Sequence, residues 1–207
     1  MISVITASIR PDGLKQVQES LAEQTFQNFE WLVEIGLMNK HDFSEAMNRG
    51  LKRAKGELIV FVNDYISLPI DGLQKFWDAY QKHPDTLFTA PLGQTKGEDI
   101  SWDWRKNRSP DEPCNFMQWE IDLASAPKKI LFEVGGFDET MDEFCWGPTN
   151  VNMGLRVELA GYKIRCLNTN PAVGFNHERT TDREDDLEYN NSRLDQFRRG
   201  LRLHFLG

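Results

Sequence analysis

Apolar positions along this chain follow two rhythms that alternate. Residues 2–7, ISVITA, and residues 58–62, LIVFV, are nearly unbroken apolar runs. Such runs suit strands of a parallel sheet covered on both faces, where no polar side is needed. Between them, Leu14, Val17, Leu21 and Ala22 recur near the 3.6-residue period of a helix that stops around QTFQNF, and EWLVEIG at 30–36 predicts a second strand. Residues 42–56 predict a helix that Ser44 or Asp42 caps and Gly56 closes. A further helix presents Leu73, Phe76, Trp77 and Tyr80 inward, and TLFTAPLG at 86–93 reads as a fourth strand. Strand and helix alternate in units of about thirty residues, the rhythm of right-handed βαβ crossovers.

The pattern then fades. Residues 93–118 are polar, contain Pro and carry Trp102 and Trp104, a stretch long enough to be a functional loop or to hide further elements. Helix-and-strand character resumes in KKILFEVGGFDE and TNVNMGLRVELAGYKIR, and AVGFNHER follows as a short strand or loop. Residues 182–188, DREDDLE, form a charge run, and the tail aligns Leu194, Phe197, Leu201 and Phe205 on one helical stripe. The expected organisation is one α/β domain over 1–180. An acidic segment and an amphipathic helix at 181–207 would pack on that domain or on a second copy, giving a homodimer.

One feature of the third strand asks for chemistry. LIVFV ends abruptly on Asn63-Asp64-Tyr65. In open α/β sheets ligands bind outside the carboxyl ends of the strands, so an acid there is placed to act. The alternative is a turn or cap, where Asp is common.

Composition adjusts this picture in three ways. The 207 residues suit one α/β domain, and no apolar run reaches the roughly 18 residues that span a bilayer. With 24 Lys and Arg against 32 Asp and Glu, the net charge of −8 argues against nucleic acid as a bulk partner, though a local basic patch can hold a nucleotide. The start MISVITASIRPDG has no basic, long-apolar leader, and the three cysteines, Cys114, Cys145 and Cys166, fit neither a disulfide framework nor a zinc site. The expectation is a cytoplasmic protein with reduced thiols.

Four segments in order then resemble one family, the GT-A-type glycosyltransferases of family 2. SVITASIRPDGLKQVQESLAEQTFQNFEWLV is similar to the first βαβ unit, AMNRGLKRAKGELIVFVNDYISLP to the helix and strand that lead to the acidic motif, EVGGFDE to the acceptor-side segment, and WGPTNVNMGLRVELAGYKI to the segment carrying the catalytic acid. The resemblance implies a GT-A fold, a Rossmann-like, mostly parallel sheet flanked by helices as in nucleotide-diphospho-sugar transferases. It implies transfer of a hexose from a nucleotide sugar, a UDP-sugar, to an unknown acceptor.

The resemblance also assigns residues. Thr6, Ala7, Ser8 and Arg10 fall in the nucleotide-contact segment, Glu34 near the base-contact position, and Asn48 and Lys55 on the next helix. Asn63 and Asp64 replace the family's acidic cluster, which leaves one carboxylate for the donor or for a divalent cation, Mn2+ or Mg2+. His177 is the candidate second metal ligand, and imidazole favours manganese. An inverting transfer needs a base within reach of the acceptor hydroxyl, yet Thr149 and Asn150 stand at the family's acidic pair. Glu143 and Asp142 are the nearest carboxylates, with capping as their structural alternative, and Asn150 marks the matching position. WGPTN also resembles the Trp-Gly-Gly-Glu-Asn segment of the retaining N-acetylgalactosamine transferases, so the stereochemical outcome stays open. Trp102, Trp104, Trp119 and Trp146 are candidates for stacking on a sugar face. A scaffold that binds nucleotide or sugar without catalysis is the competing expectation, and a nucleotidyltransferase lacks support because ASIRPDG has one Gly and no Lys.

Overall fold

A computed structural model of the protein describes residues 1–36, 42–96, 98–144 and 149–175. In chain order the elements are β1 (Ile2–Ser8), α1 (Leu14–Ala22), β2 (Phe29–Ile35), α2 (Phe43–Arg53), β3 (Leu58–Val62), β4 (Ile66–Ser67), α3 (Gly72–Lys82), β5 (Thr86–Thr89), β6 (Leu92–Lys96), β7 (Asp99–Trp102), β8 (Glu112–Cys114), β9 (Leu123–Pro127), α4 (Lys128–Glu133), α5 (Thr149–Leu159), β10 (Lys163–Cys166) and β11 (Ala172–Gly174). Seven strands form the main sheet in the order β2-β1-β3-β9-β5-β10-β8, and β4-β11-β6-β7 form a smaller one. β2, β1, β3, β5 and β10 point the same way, while β9 and β8 run against them. The expected mostly parallel α/β sheet flanked by helices is therefore present, with β9 inserted between the two parallel groups.

β3 shows why its sequence lacks alternation. Ile59 and Phe61 enter one core with Met47, Leu51, Trp119 and Met153. Leu58, Val60 and Val62 enter the other with Val17, Leu21, Leu73 and Phe76. Each side of the strand meets a helix layer, so every position is apolar. Phe61 packs edge-on against Trp119 at 6.1 Å and Phe137 at 5.7 Å between ring centroids, the geometry aromatic quadrupoles favour.

Several expectations are corrected. TLFTAPLG is not one strand: β5 stops at Thr89, and after Ala90-Pro91 the chain enters β6 of the small sheet. Of the two expectations for 93–118, hidden elements are what the structure shows: β7, β8 and two 3-10 turns, Trp104–Asn107 and Phe116–Gln118. Their short lengths and mixed polarity hide them from a periodicity reading. Gly56 does not close α2, which ends at Arg53; a Cβ at residue 56 would sit 2.5 Å from the Ser3 amide nitrogen, so the glycine lets this loop cross close over β1. Trp119 is fully buried core, whereas Trp102 and Trp104 are exposed. Cys114 and Cys166 are free buried thiols. Trp146, Cys145, His177 and the segment 181–207 lie outside the described residues.

Phe61→Ala should cost about 3–5 kcal/mol of folding stability, because it removes an aromatic ring from a site the neighbouring rings cannot fill. Urea unfolding at neutral pH reads this directly.

Candidate functional site

The carboxyl ends of β1 and β3 lie side by side in the parallel register Ile2↔Leu58 through Ile5↔Phe61, and both strands stop where the chain turns polar. Asp64 sits just beyond β3, only 3% exposed. A carboxylate that far from water needs its charge met. The Ser8 hydroxyl donates to Asp64 Oδ2 at 2.8 Å, and Arg10 donates from Nη2 to Oδ1 at 3.1 Å and from Nε to Oδ2 at 3.4 Å. Ser8 also accepts the Arg10 amide at 2.8 Å, which fixes the turn that carries the guanidinium. The same guanidinium lies 5.6 Å from the centre of the Tyr65 ring. A Cβ on residue 13 would come within 2.5 Å of the Asp64 carbonyl oxygen, so the RPDG turn closes over Asp64 only because Gly13 has no side chain.

Beside Asp64, Asn63 makes a second link. Its amide donates to the Asp122 carbonyl at 3.0 Å and its Nδ2 to Asp122 Oδ1 at 2.6 Å. Burial, with Asp122 and Asp64 nearby, pushes the Tyr65 phenol up to about 12. Tyr65 is therefore a neutral hydroxyl at the edge of the site at physiological pH.

The site therefore gathers Ser8, Arg10, Asn63 and Asp64 among the residues expected from the sequence. Thr6, Ala7, Glu34 and Asn48 are engaged elsewhere in the fold. Thr6 is wholly internal and accepts the Trp31 indole N–H at 3.0 Å, while Ala7 packs against the core. Glu34 is buried and receives Arg49 Nε at 3.3 Å and Arg53 Nη1 at 2.7 Å, which fastens α2 to β2. Asn48 exchanges hydrogen bonds with the Phe137 backbone, giving to its carbonyl and accepting from its amide at 2.8 Å each, and donates to Glu139 Oε1 at 2.8 Å. Gly136 permits that latch, since it has a φ of +73° and a Cβ there would lie 2.8 Å from Asn48 Oδ1. Lys55 is exposed.

The candidates for the base are placed as follows. Asp142 accepts the Ser44 amide on Oδ1 and the Glu45 amide on Oδ2, both at 2.9 Å. Neither Ser44 nor Asp42 caps α2 with its side chain; a carboxylate almost a hundred residues away does so, and burial raises its pKa against the pull of those amides. Glu143 lies in the 3-10 turn Glu139–Phe144, with its side chain outside the description. Thr149 is buried at the start of α5, and Asn150 donates to the Trp119 carbonyl at 2.8 Å.

Residues 119–122 contain Glu120 and Asp122, two acids that no sequence pattern singled out. They cross the rim between β3 and β5, held by the bonds from Asn63 to Asp122, from Thr89 Oγ1 to the Glu120 carbonyl at 3.1 Å and from Trp119 Nε1 to the Phe88 carbonyl at 3.3 Å. In an antiparallel strand the acids at this rim precede the apolar run instead of following it. WEIDLASAP carries that signal, but only once the direction of β9 is known.

Metal chemistry finds little support in this donor set. Asp64 offers one carboxylate already paired with a guanidinium, and among the described residues no group of three or more His, Cys, Asp or Glu is arranged to hold an ion. The expectation of Mn2+ or Mg2+ on Asp64 and His177 thus has one ligand occupied and the other outside the described residues. No helix among the described residues is long and apolar enough to cross a membrane.

Two measurements follow from these contacts. Asp142→Ala should lower stability by about 1–2 kcal/mol through loss of the α2 cap, read by urea unfolding. Because Tyr65 ionises at a higher pH folded than unfolded, its contribution is complete below about 10 and is lost as pH rises towards about 12. Stability should fall by up to about 2–3 kcal/mol across that window, and Tyr65→Phe should flatten the fall.

Solved structures with this architecture include S. aureus TarS 1-349 in complex with UDP-GlcNAc, at 15% identity and a TM-score of 0.66, covering 86% of this chain and 59% of that one. The same TarS fragment in complex with UDP matches at 14% identity and 0.66, covering 84% and 60%. GalNAc-T7 with UDP, GalNAc and Mn2+ matches at 12% and 0.74, covering 95% and 47%. The chain spans about half the length of these structures. No curated protein sequence matches it. Residues 11–139 match the family model described as Glycosyl transferase family 2, and with the GT-A fold just described the chain belongs to that family.

Proposed function

We propose that the protein transfers a sugar from a UDP-sugar to an acceptor hydroxyl, with the donor held at the rim where β1 and β3 end. The observation that carries this reading is the buried Asp64 carboxylate clamped by Ser8 and Arg10 at that rim. The neighbours crystallised with UDP and UDP-GlcNAc support the choice of nucleotide.

The chemistry follows from the charges. A departing UDP gathers negative charge on its β-phosphate, and a rate gain requires that this charge be met more strongly in the transition state than in the bound donor. Arg10 is a cation at the rim, its side chain 24% exposed and preset by Asp64 and by the Ser8 hydroxyl, so one face of its guanidinium can turn to phosphate oxygens. Asp64 keeps that guanidinium oriented.

Asn150 and Thr149 favour a second reading, a module that binds nucleotide sugar without turning it over, because neither can act as a base and both are tied into the fold. Titration calorimetry with UDP and UDP-GlcNAc, each with and without Mn2+, tests the first requirement. Binding is expected, and Arg10→Ala should weaken it at least about tenfold, the loss of a charge-assisted bond of about 1.5–3 kcal/mol. Absence of binding to either compound in all four conditions would defeat both readings. Release of UDP from UDP-GlcNAc separates transferase from binder.

A further inference from the structure

α5 begins where the family places its catalytic acid, and Asn150 there has no proton-accepting carboxylate to offer. Asn150 does, however, touch the residue next to one. Its Nδ2 holds the carbonyl of Trp119, and Glu120 follows immediately.

Glu120 is held firmly. Its own carbonyl accepts Thr89 Oγ1, the indole of Trp119 before it is anchored in the core, and Asp122 after it is bound twice by Asn63. The segment is thus pinned to the ends of β5 and β3 at once, and Asn63 ties it to the turn that carries Asp64. Trp119 and Ile121 enter the core that also takes Met153 and Val157 of α5, whereas Glu120 and Asp122 are not part of it.

The carboxylate itself is available. It is partly buried, and among the described residues no hydrogen bond or ion pair holds it. The charged groups around it are Asp122 on its own segment and Asp103 and Arg105 from the 3-10 turn after β7. Arg105 is occupied elsewhere, donating from Nε to Asp103 at 2.9 Å and from Nη1 to Thr89 at 2.7 Å. Burial, reinforced by Asp122, raises the Glu120 pKa above the ordinary glutamate range, and Arg105 only partly opposes it.

We propose that Glu120 is the general base of the transfer, standing in for the acid absent at Thr149 and Asn150. This rests on the transferase reading above. The acceptor O–H proton passes to the Glu120 carboxylate while the acceptor oxygen forms its bond to the anomeric carbon. The bond from that carbon to the β-phosphate oxygen breaks, and its electron pair leaves with UDP. The displacement is single and inverts the anomeric centre. The base works deprotonated, so turnover falls as pH drops through its raised pKa.

The test uses the full chain with UDP-GlcNAc as donor and water as acceptor, following UDP release. Glu120→Gln should lower kcat by about 100-fold or more, lose the acidic limb of the pH profile, and leave the Kd for UDP and the unfolding midpoint unchanged. Glu120→Asp should recover part of the rate. Full turnover by Glu120→Gln overturns the assignment alone, as does a collapse of rate in Glu143→Ala with Glu120→Gln intact. Binding of UDP without any UDP release by the unaltered protein overturns it in favour of the binding module. Failure to bind UDP overturns the transferase reading along with it.

Discussion

Asp64 is a negative charge almost sealed from water, and the fold around it is arranged to meet that charge. Removing a carboxylate from solvent is costly, and only close, well-aligned partners offset the loss. Ser8 and Arg10 supply them from the end of β1, so the strand pair is joined at its rim by an ion pair as well as along its length by the ladder. Gly13 lets the following turn close over Asp64, and Tyr65 sets its ring beneath the guanidinium. Strand order, turn and side chains at the rim all serve one carboxylate, and that carboxylate in turn presents one cation to the space above it.

A second set of polar residues holds α2 in place. Glu34 grips it from β2 through two arginines, Asn48 latches it to the loop after α4, and Asp142 caps its first turn. α2 therefore has a polar clamp at each level while Met47 and Leu51 fill the core beneath.

The inserted strand β9 brings a second segment to the rim. Because β9 runs against β3 and β5, its entry lies over their carboxyl ends, where Asp122 meets Asn63 and the Glu120 carbonyl meets Thr89. In a family whose usual acid sits at the start of a later helix, an antiparallel strand entering the rim is a second route by which a carboxylate can reach the same space.

Periodicity by itself determined the βαβ start, the full burial of β3, the inward places of Val17 and Leu21 on α1 and of Leu73 and Phe76 on α3, and the placement of an acid at a strand end, since each depends on neighbours three or four residues away at most. Ala22, expected on the α1 stripe, is instead exposed. Ordered motifs determined the family. What only the tertiary structure decided were partners: that Asp64 pairs with Arg10, that Asp142 caps a helix 97 residues earlier, and that Glu34 and Asn48 brace α2. Likewise the direction of β9, and with it the position of Glu120, is fixed by which strands flank it in the sheet. The physical reason is the same throughout. Hydrophobic spacing is written locally, whereas a polar group takes its role from whichever partner burial brings within 3 Å of it, and that partner is set by the fold.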